Sequence, residues 1–95
     1  MSYYFVASIR IRDEQEYKKY LERAGQIFAR YGGTYLAVDN EVEVLEGGWD
    51  YDRSVLIQFS CKEDFQAWYD SEDYQDILQY RLSAADCDTI LVKGK

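Results

Sequence analysis

The feature that most constrains the fold of this chain is a change in the spacing of its apolar residues between the first and second segments. From Tyr3 to Ile11, aromatic and β-branched residues alternate with others, which is typical of a strand. After Asp13 the apolar residues recur every three or four positions as far as Tyr31, which is typical of an amphipathic helix. Asp13 and Glu16 have the spacing of a capping box, and Gly32 is placed to end the helix. The chain therefore begins with a strand followed directly by a helix.

The rest of the sequence is predicted to form two more strand regions, a broken helix and a final strand. The first of these strand regions either bends at Asp39-Asn40 or consists of two short strands. Ser71 is predicted to cap the second part of the broken helix. The predicted ranges are Thr34 to Val38, Glu41 to Glu46, Arg53 to Ser60, Lys62 to Tyr69, Ser71 to Ala84 and Thr89 to Lys93.

The predicted order of elements is strand, helix, strand, strand, helix, strand, which is the ferredoxin-like split arrangement. It gives an α+β fold, an antiparallel four-stranded sheet with its helices on one face. The length predicts a single domain over residues 1–95. The opposite strand faces are too apolar for open water, so we expect two sheets to pack face to face as a homodimeric α/β barrel. The apolar residues assigned to these faces are Tyr4, Val6, Leu56 and Leu91.

The composition argues against several classes of function. A formal net charge of −7 disfavours nucleic acid and anionic membranes as partners. The chain has no histidine, so we expect no metal site and no cofactor. Cys61 and Cys87 are predicted to lie as free thiols at opposite ends of the sheet. Because no long apolar run or signal peptide is present, the expected location is the cytoplasm.

Arg81 lies in line with the apolar stripe of the last predicted helix. At helical spacing it shares a face with Tyr74, Ile77 and Leu78. A cation on an inward face is costly unless an anion meets it. That anion is either a carboxylate of this chain or a bound acidic ligand.

Three groups of residues, in fixed order along the chain, carry a family resemblance. They are Asp13, Tyr17 and Tyr20 with Arg30-Tyr31-Gly32-Gly33; Glu43-Val44-Leu45-Glu46-Gly47 with Trp49 and Arg53; and Phe59, Trp68-Tyr69-Asp70-Ser71, Tyr74 and Arg81. Together they resemble the small bacterial proteins known as domain of unknown function 1330. The resemblance implies a dimeric α/β barrel of ferredoxin-like subunits and no known activity. This chain has no proline, whereas family members often carry one at several positions.

Glu46 and Arg81 are the candidate catalytic residues, and the family pattern makes Glu46 and Arg53 plausible neighbours of Arg81. In a functional interpretation, Arg81 clamps a carboxylate or enolate while Glu46 acts as a base. The structural alternative is an internal ion pair that orders the helix against the sheet. Arg53 is an alternative partner for Glu46.

The candidate ligand-binding residues are mostly aromatic, and each also has a structural interpretation. Trp68 and Tyr74 either wall an aromatic pocket or belong to the core. Ser71 is mainly a helix cap, and Trp49 either anchors a loop or covers a pocket mouth. The full set is Tyr20, Tyr35, Trp49, Arg53, Trp68, Ser71 and Tyr74.

Three functions are compatible with these patterns. The first is a homodimeric domain that binds a small organic acid or phenolic compound between the helices and the sheet. The second, by analogy with similar barrels, is a cofactor-free isomerase, lyase or monooxygenase acting on aromatic or polyketide-like compounds. The third is a structural or assembly module that binds no ligand.

Overall fold

A four-stranded antiparallel sheet forms one layer of the molecule, and three helices cover one of its faces. The computed structural model describes residues 1–95. The elements in chain order are β1 (Tyr3–Ile11), α1 (Glu14–Arg30), β2 (Thr34–Asp39), β3 (Arg53–Phe59), α2 (Lys62–Tyr69), α3 (Glu72–Ala84) and β4 (Ala85–Lys93). The sheet order is β2-β3-β1-β4, which confirms the predicted ferredoxin-like fold.

The core lies between the sheet and the apolar stripes of the two longer helices. In the middle of β1 and from Val55 to the end of β3, every second residue is buried, as the alternating sequence predicts. Each large apolar side chain removed from water in this way contributes roughly 1.5 to 3 kcal/mol to the free energy of unfolding. The buried residues of these strands and helices include Phe5, Ala7, Ile9, Val55, Ile57, Phe59, Tyr17, Tyr20, Ala24, Ile27, Phe28, Tyr74, Ile77 and Leu78.

Asp13 begins α1 by accepting a hydrogen bond at Oδ1 from the Glu16 backbone N–H, at 3.1 Å. The backbone N–H of Asp13 donates to the carbonyl of Ala84, at 3.0 Å, rather than to the Glu16 side chain. Half of the predicted capping box therefore forms, and the other half is replaced by a contact that ties the start of α1 to the end of α3. Gly32, with φ of 80°, ends the helix as predicted.

The predicted strand from Glu41 to Glu46 does not form, because β2 ends at Asp39 and residues 40–52 are irregular. Asp39 Oδ1 accepts a hydrogen bond from the Glu41 backbone N–H at 2.8 Å, which forms a turn directly after β2. β4 also begins at Ala85 rather than at Thr89, because its first residues pair with the end of β1, where Ile11 lies opposite Ala85.

The predicted position of Leu91 on the outer face of the sheet is wrong. It lies opposite Phe5, which is buried under the helices, and residues directly opposite each other in a ladder point to the same face. Ile90 and Val92 instead lie on the outer face, opposite Val6 and Tyr4, and are 60% and 42% exposed. The outer face is therefore apolar, as predicted, but with two different residues from β4.

Both cysteines are free thiols, as predicted. Cys87 lies opposite Ile9 near the start of β4, whereas Cys61 follows Phe59, whose partner Tyr3 is at the other end of β1. The two thiols are therefore at opposite ends of the sheet, beyond the reach of a disulfide.

The three helices of the fold are each too short or too polar to span a membrane.

Candidate functional site

Arg81 is the one charged residue whose side chain is buried, with an exposed fraction of 3%. It lies in the last turn of α3, on the stripe that also buries Tyr74, Ile77 and Leu78. The helical spacing in the sequence predicts this inward position. The carboxyl end of the helix dipole interacts favourably with this cation, but the interaction compensates only a small part of the free-energy cost of removing the guanidinium from water.

Arg81 has no carboxylate partner. None of the six salt bridges in the molecule includes it, and its Nε is buried without a hydrogen-bond acceptor. The effective cost of taking a guanidinium out of water is several kcal/mol unless an anion compensates it. This side chain therefore lacks the counter-charge that a buried cation normally has.

A small cavity between the helices and the sheet contains the unpaired guanidinium. Its volume is about 20 Å³, which is room for about one water molecule. Arg81 and Arg53 are the only charged residues in its lining, and there is no carboxylate. The rest of the wall is aliphatic or aromatic, and includes Phe5, Tyr17, Tyr20, Phe28, Tyr35 and Ile57.

Tyr20 and Tyr74 are neighbours of Arg81. The hydroxyls of Tyr20 and Tyr74 are hydrogen-bonded to each other at 2.9 Å, and the Arg81 guanidinium lies 5.8 Å from the centre of the Tyr20 ring. Burial raises the pKa of both phenols, and it raises the pKa of Tyr17 to about 12. These phenols therefore stay protonated near neutral pH, where they serve as hydrogen-bond donors and not as bases.

Arg81 itself remains a cation. Burial acts to lower the pKa of its guanidinium, but the nearby oxygens of Tyr74 and Tyr20 and the sulfur of Cys87 outweigh this effect. The pKa of Arg81 therefore lies above its ordinary value. The cavity presents a permanent positive charge at any pH in which the domain works.

Arg53 supplies a second positive charge at the start of β3. Its Nε is buried without a partner, and its Nη1 donates a long hydrogen bond of 3.4 Å to Asn40 Oδ1. Its guanidinium lies 5.9 Å from the centre of the Tyr17 ring, within the range of a cation–π contact. Two arginines therefore line the same cavity, each with an unsatisfied donor.

Glu46 lies on the other side of the sheet. It is exposed on the irregular segment after β2 and lines a groove together with Val6, Ser8 and Ser54, which belong to the outer face. No salt bridge joins it to Arg81 or to Arg53. The structure therefore does not assemble the predicted catalytic pair within one chain, because the sheet stands between its two members.

Trp68 belongs to the aromatic core and does not line the cavity. It is fully buried, with ring centres 4.1 Å from Tyr74, 4.7 Å from Phe28, 5.2 Å from Phe5 and 5.3 Å from Phe59. Tyr74 is equally buried and does not line the cavity, but its hydroxyl bonds to that of Tyr20 and lies near Arg81.

Ser71 and Trp49 also lie away from the cavity. Ser71 Oγ caps α3 by accepting from the Tyr74 backbone N–H at 3.1 Å, and it donates to the carbonyl of Trp68 at 2.8 Å. Trp49 stacks edge-on with Tyr51 and lines the outer-face groove next to Glu46. Among the predicted catalytic and binding residues, the structure brings only Tyr20, Tyr35, Arg53 and Arg81 into the cavity wall.

An open groove adjoins the cavity on the surface beside α1. It has a volume of about 340 Å³ and shares Tyr17, Leu21 and Arg53 with the cavity wall. Tyr17 and Leu21 are not among the predicted site residues, because residues on the apolar stripe of α1 have the same sequence pattern as ordinary core. The other groove residues are Ile11, Glu14, Lys18, Asn40 and Asp52.

Three solved structures show the fold to which this chain is similar. RPA0582, a protein of unknown function from Rhodopseudomonas palustris, has a TM-score of 0.84 at 19% identity, covering 99% of this chain and 82% of its own. A dimeric ferredoxin-like protein of unknown function from Thermobifida fusca has a TM-score of 0.71 at 17% identity, and the match covers 99% of this chain and 92% of that protein. SnoaB, a cofactor-independent oxygenase from Streptomyces nogalater, has a TM-score of 0.73 at 13% identity, and the match covers 99% of this chain and 93% of SnoaB. At these identities the similarity concerns the fold alone.

Sequence comparison assigns the family. No curated protein matches the chain significantly. The family described as domain of unknown function (DUF1330) matches residues 2–95, almost the entire sequence. This match confirms the resemblance carried by the three groups of residues along the chain. The chain belongs to the DUF1330 family.

Proposed function

We propose that this domain binds a small organic acid or phenolic compound through the cavity between α1, α3 and the sheet. The observation that carries the proposal is the unpaired guanidinium of Arg81, which is 3% exposed and lines a cavity without a carboxylate. An acidic ligand supplies the missing counter-charge, and a guanidinium can bind a carboxylate through two parallel hydrogen bonds. A domain with a purely structural role gains no stability from an uncompensated buried cation.

The neutral donors around the guanidinium favour the same class of ligand. The Tyr20 and Tyr74 hydroxyls share one hydrogen bond, so one of the two protons is free for another acceptor. The raised pKa of each phenol keeps that proton in place. The free tyrosine proton and the Arg53 Nε are therefore hydrogen-bond donors that lack an acceptor. A carboxylate or phenolate oxygen of a ligand can supply that acceptor.

Cofactor-free catalysis is the second candidate function, and the fold similarity to the oxygenase SnoaB favours it. In this alternative, Arg81 and Tyr20 stabilise the negative charge of an enolate in the transition state. Proton abstraction also requires a base, and the cavity wall contains neither a carboxylate nor a histidine. Glu46, the predicted base, lies beyond the sheet, so the geometry supports binding better than turnover.

A thermal-shift screen tests the binding proposal with aromatic acids, keto acids and their neutral amides. We expect acids to raise the melting temperature and the matched amides, such as benzamide against benzoate, to leave it unchanged. An acid at about 100 times its Kd adds about 2.7 kcal/mol, which is a shift of roughly 10 °C or more for a domain of this size. Absence of any shift, or equal shifts from the amides, contradicts the proposal. Consumption of a bound acid over time would establish the enzymatic alternative.

We also propose that two copies associate through the outer faces of their sheets. Ile90 and Val92 are exposed there, and similar structures are described as dimeric. Sedimentation at micromolar concentration is expected to give twice the 11.2 kDa monomer mass. Ile90→Lys should shift the mass toward the monomer, whereas Gln26→Lys, at an exposed position of α1, should not. A wild-type mass of 11.2 kDa contradicts dimerisation.

A further inference from the structure

We infer that the ligand is an elongated acid that occupies two adjoining spaces. Its acidic head lies against Arg81 in the inner cavity, and its far end lies in the surface groove beside α1. This inference rests on the proposed function and adds the shape and chemistry of the ligand. It depends on the volumes of the two spaces, on the residues they share and on the charges along the groove.

The volumes divide the ligand into two parts. The inner cavity, at about 20 Å³, accommodates a group of about the size of one water molecule, such as a carboxylate oxygen. A single aromatic ring needs a cavity of roughly 150 Å³. The groove, at about 340 Å³, has that room. A ligand that reaches Arg81 with its acidic group must therefore carry the bulk of its body outside the cavity.

Three residues border both spaces, and the inferred passage for the ligand lies between them. Tyr17 and Leu21 project from α1, and Arg53 faces them from the start of β3. The Tyr17 ring is buried, whereas Leu21 is 37% exposed, so the passage has apolar walls that begin at the surface. Arg53 Nε is buried there without an acceptor. The middle of the ligand is therefore apolar and narrow.

The outer part of the groove is polar but balanced in charge. Glu14 and Asp52 provide carboxylates, and Lys18 and Arg53 provide cations. Asp52 Oδ2 is already engaged by the backbone N–H of Ile11 at 2.8 Å. A second acidic group on the ligand gains little binding energy from a rim with equal numbers of carboxylates and cations. An uncharged hydroxyl, in contrast, can hydrogen-bond to both the donors and the acceptors of the rim. The chemical class is thus an acid with an apolar middle and a hydroxylated far end.

Titration calorimetry with three acids tests the length and the polarity of the ligand. Propanoate carries only the head, phenylpropanoate adds the body, and para-hydroxyphenylpropanoate adds the far hydroxyl. We expect affinity to rise in this order, at least tenfold from the first to the third, as burial of a ring predicts. Equal affinities for the three acids in wild-type protein, with binding that depends on Arg81, overturn this inference but retain the proposed function. No binding of any of them overturns both.

Two pairs of variants locate the body of the ligand. Leu21→Trp narrows the passage and is expected to weaken para-hydroxyphenylpropanoate at least tenfold, whereas Glu22→Trp, exposed and outside the groove, should not. The far hydroxyl raises the affinity of para-hydroxyphenylpropanoate above that of phenylpropanoate, and Lys18→Met is expected to reduce this difference by about fivefold, the usual effect of one hydrogen bond. Lys19→Met is its matched control, because Lys19 pairs with Glu16 and does not line the groove. Unchanged affinities in both Leu21→Trp and Lys18→Met contradict the assignment.

Discussion

Arg81→Met is expected to abolish acid binding and to leave the folded domain at least as stable as the wild type. Methionine fills a similar volume and removes the cost of burying a cation that has no counter-charge. Replacing buried charges with apolar residues of similar size is often neutral or stabilising, by about 1 to 4 kcal/mol. Urea denaturation gives the free energy of unfolding, and calorimetry gives the affinity for the acids.

A lower free energy of unfolding for Arg81→Met than for the wild type would instead identify Arg81 as a member of a structural ion pair. Removing one member of a buried pair costs about 3 to 5 kcal/mol, because the other charge is left without its partner. Arg23→Met is the matched control, since Arg23 is half-exposed and pairs with Asp76 at 3.1 Å on the surface. Such a pair contributes about 1 kcal/mol or less, and its loss should leave acid binding unchanged.

Trp68→Ala is expected to be the most destabilising single substitution in the aromatic core. Trp68 has no exposed surface and packs on Phe5, Phe28, Phe59 and Tyr74. Truncation of a buried tryptophan to alanine costs about 3 to 5 kcal/mol, from lost burial and from the cavity left behind. Because small domains have a total stability of about 5 to 15 kcal/mol, thermal unfolding should move to a much lower temperature.

Trp68→Phe separates a core role from a role as a ligand wall. Phenylalanine keeps an aromatic ring in the cluster, so the protein is expected to fold with a smaller loss of stability than Trp68→Ala. Acid affinity should equal that of the wild type, because Trp68 does not line the cavity. Lost affinity in a folded Trp68→Phe protein would show that this residue contacts the ligand after all.

The two central strands and the edge strand β2 were predictable from their sequence, whereas the facing of β4 and the structure of the segment after β2 were not. Alternation in β1 and β3 indicates which residues are buried, because each has two neighbouring strands in the sheet. The segment from Glu41 to Glu46 alternates in the same way but has no partner strand, and a local pattern contains no information on partners. At Ile90-Leu91-Val92 all three residues are apolar, so only the register with β1 decides which faces outward.

The candidate site was predictable only in part, for a similar reason. The inward position of Arg81 follows from helical spacing, which is a local property. The separation of Glu46 from Arg81 depends on the face of the sheet that the irregular segment covers, which is a tertiary property. Trp68 and Tyr17 are both aromatic residues on buried helix faces, yet only Tyr17 borders the cavity. Composition cannot distinguish a cavity wall from a filled core.

Calorimetric titration of para-hydroxyphenylpropanoate into wild-type protein and Arg81→Met tests most directly whether Arg81 serves an external anion. The unpaired guanidinium predicts saturable binding of one acid per wild-type chain and no measurable binding to the variant. Equal affinity of the folded variant and the wild type, or no heat of binding from either protein, would contradict a ligand role for Arg81.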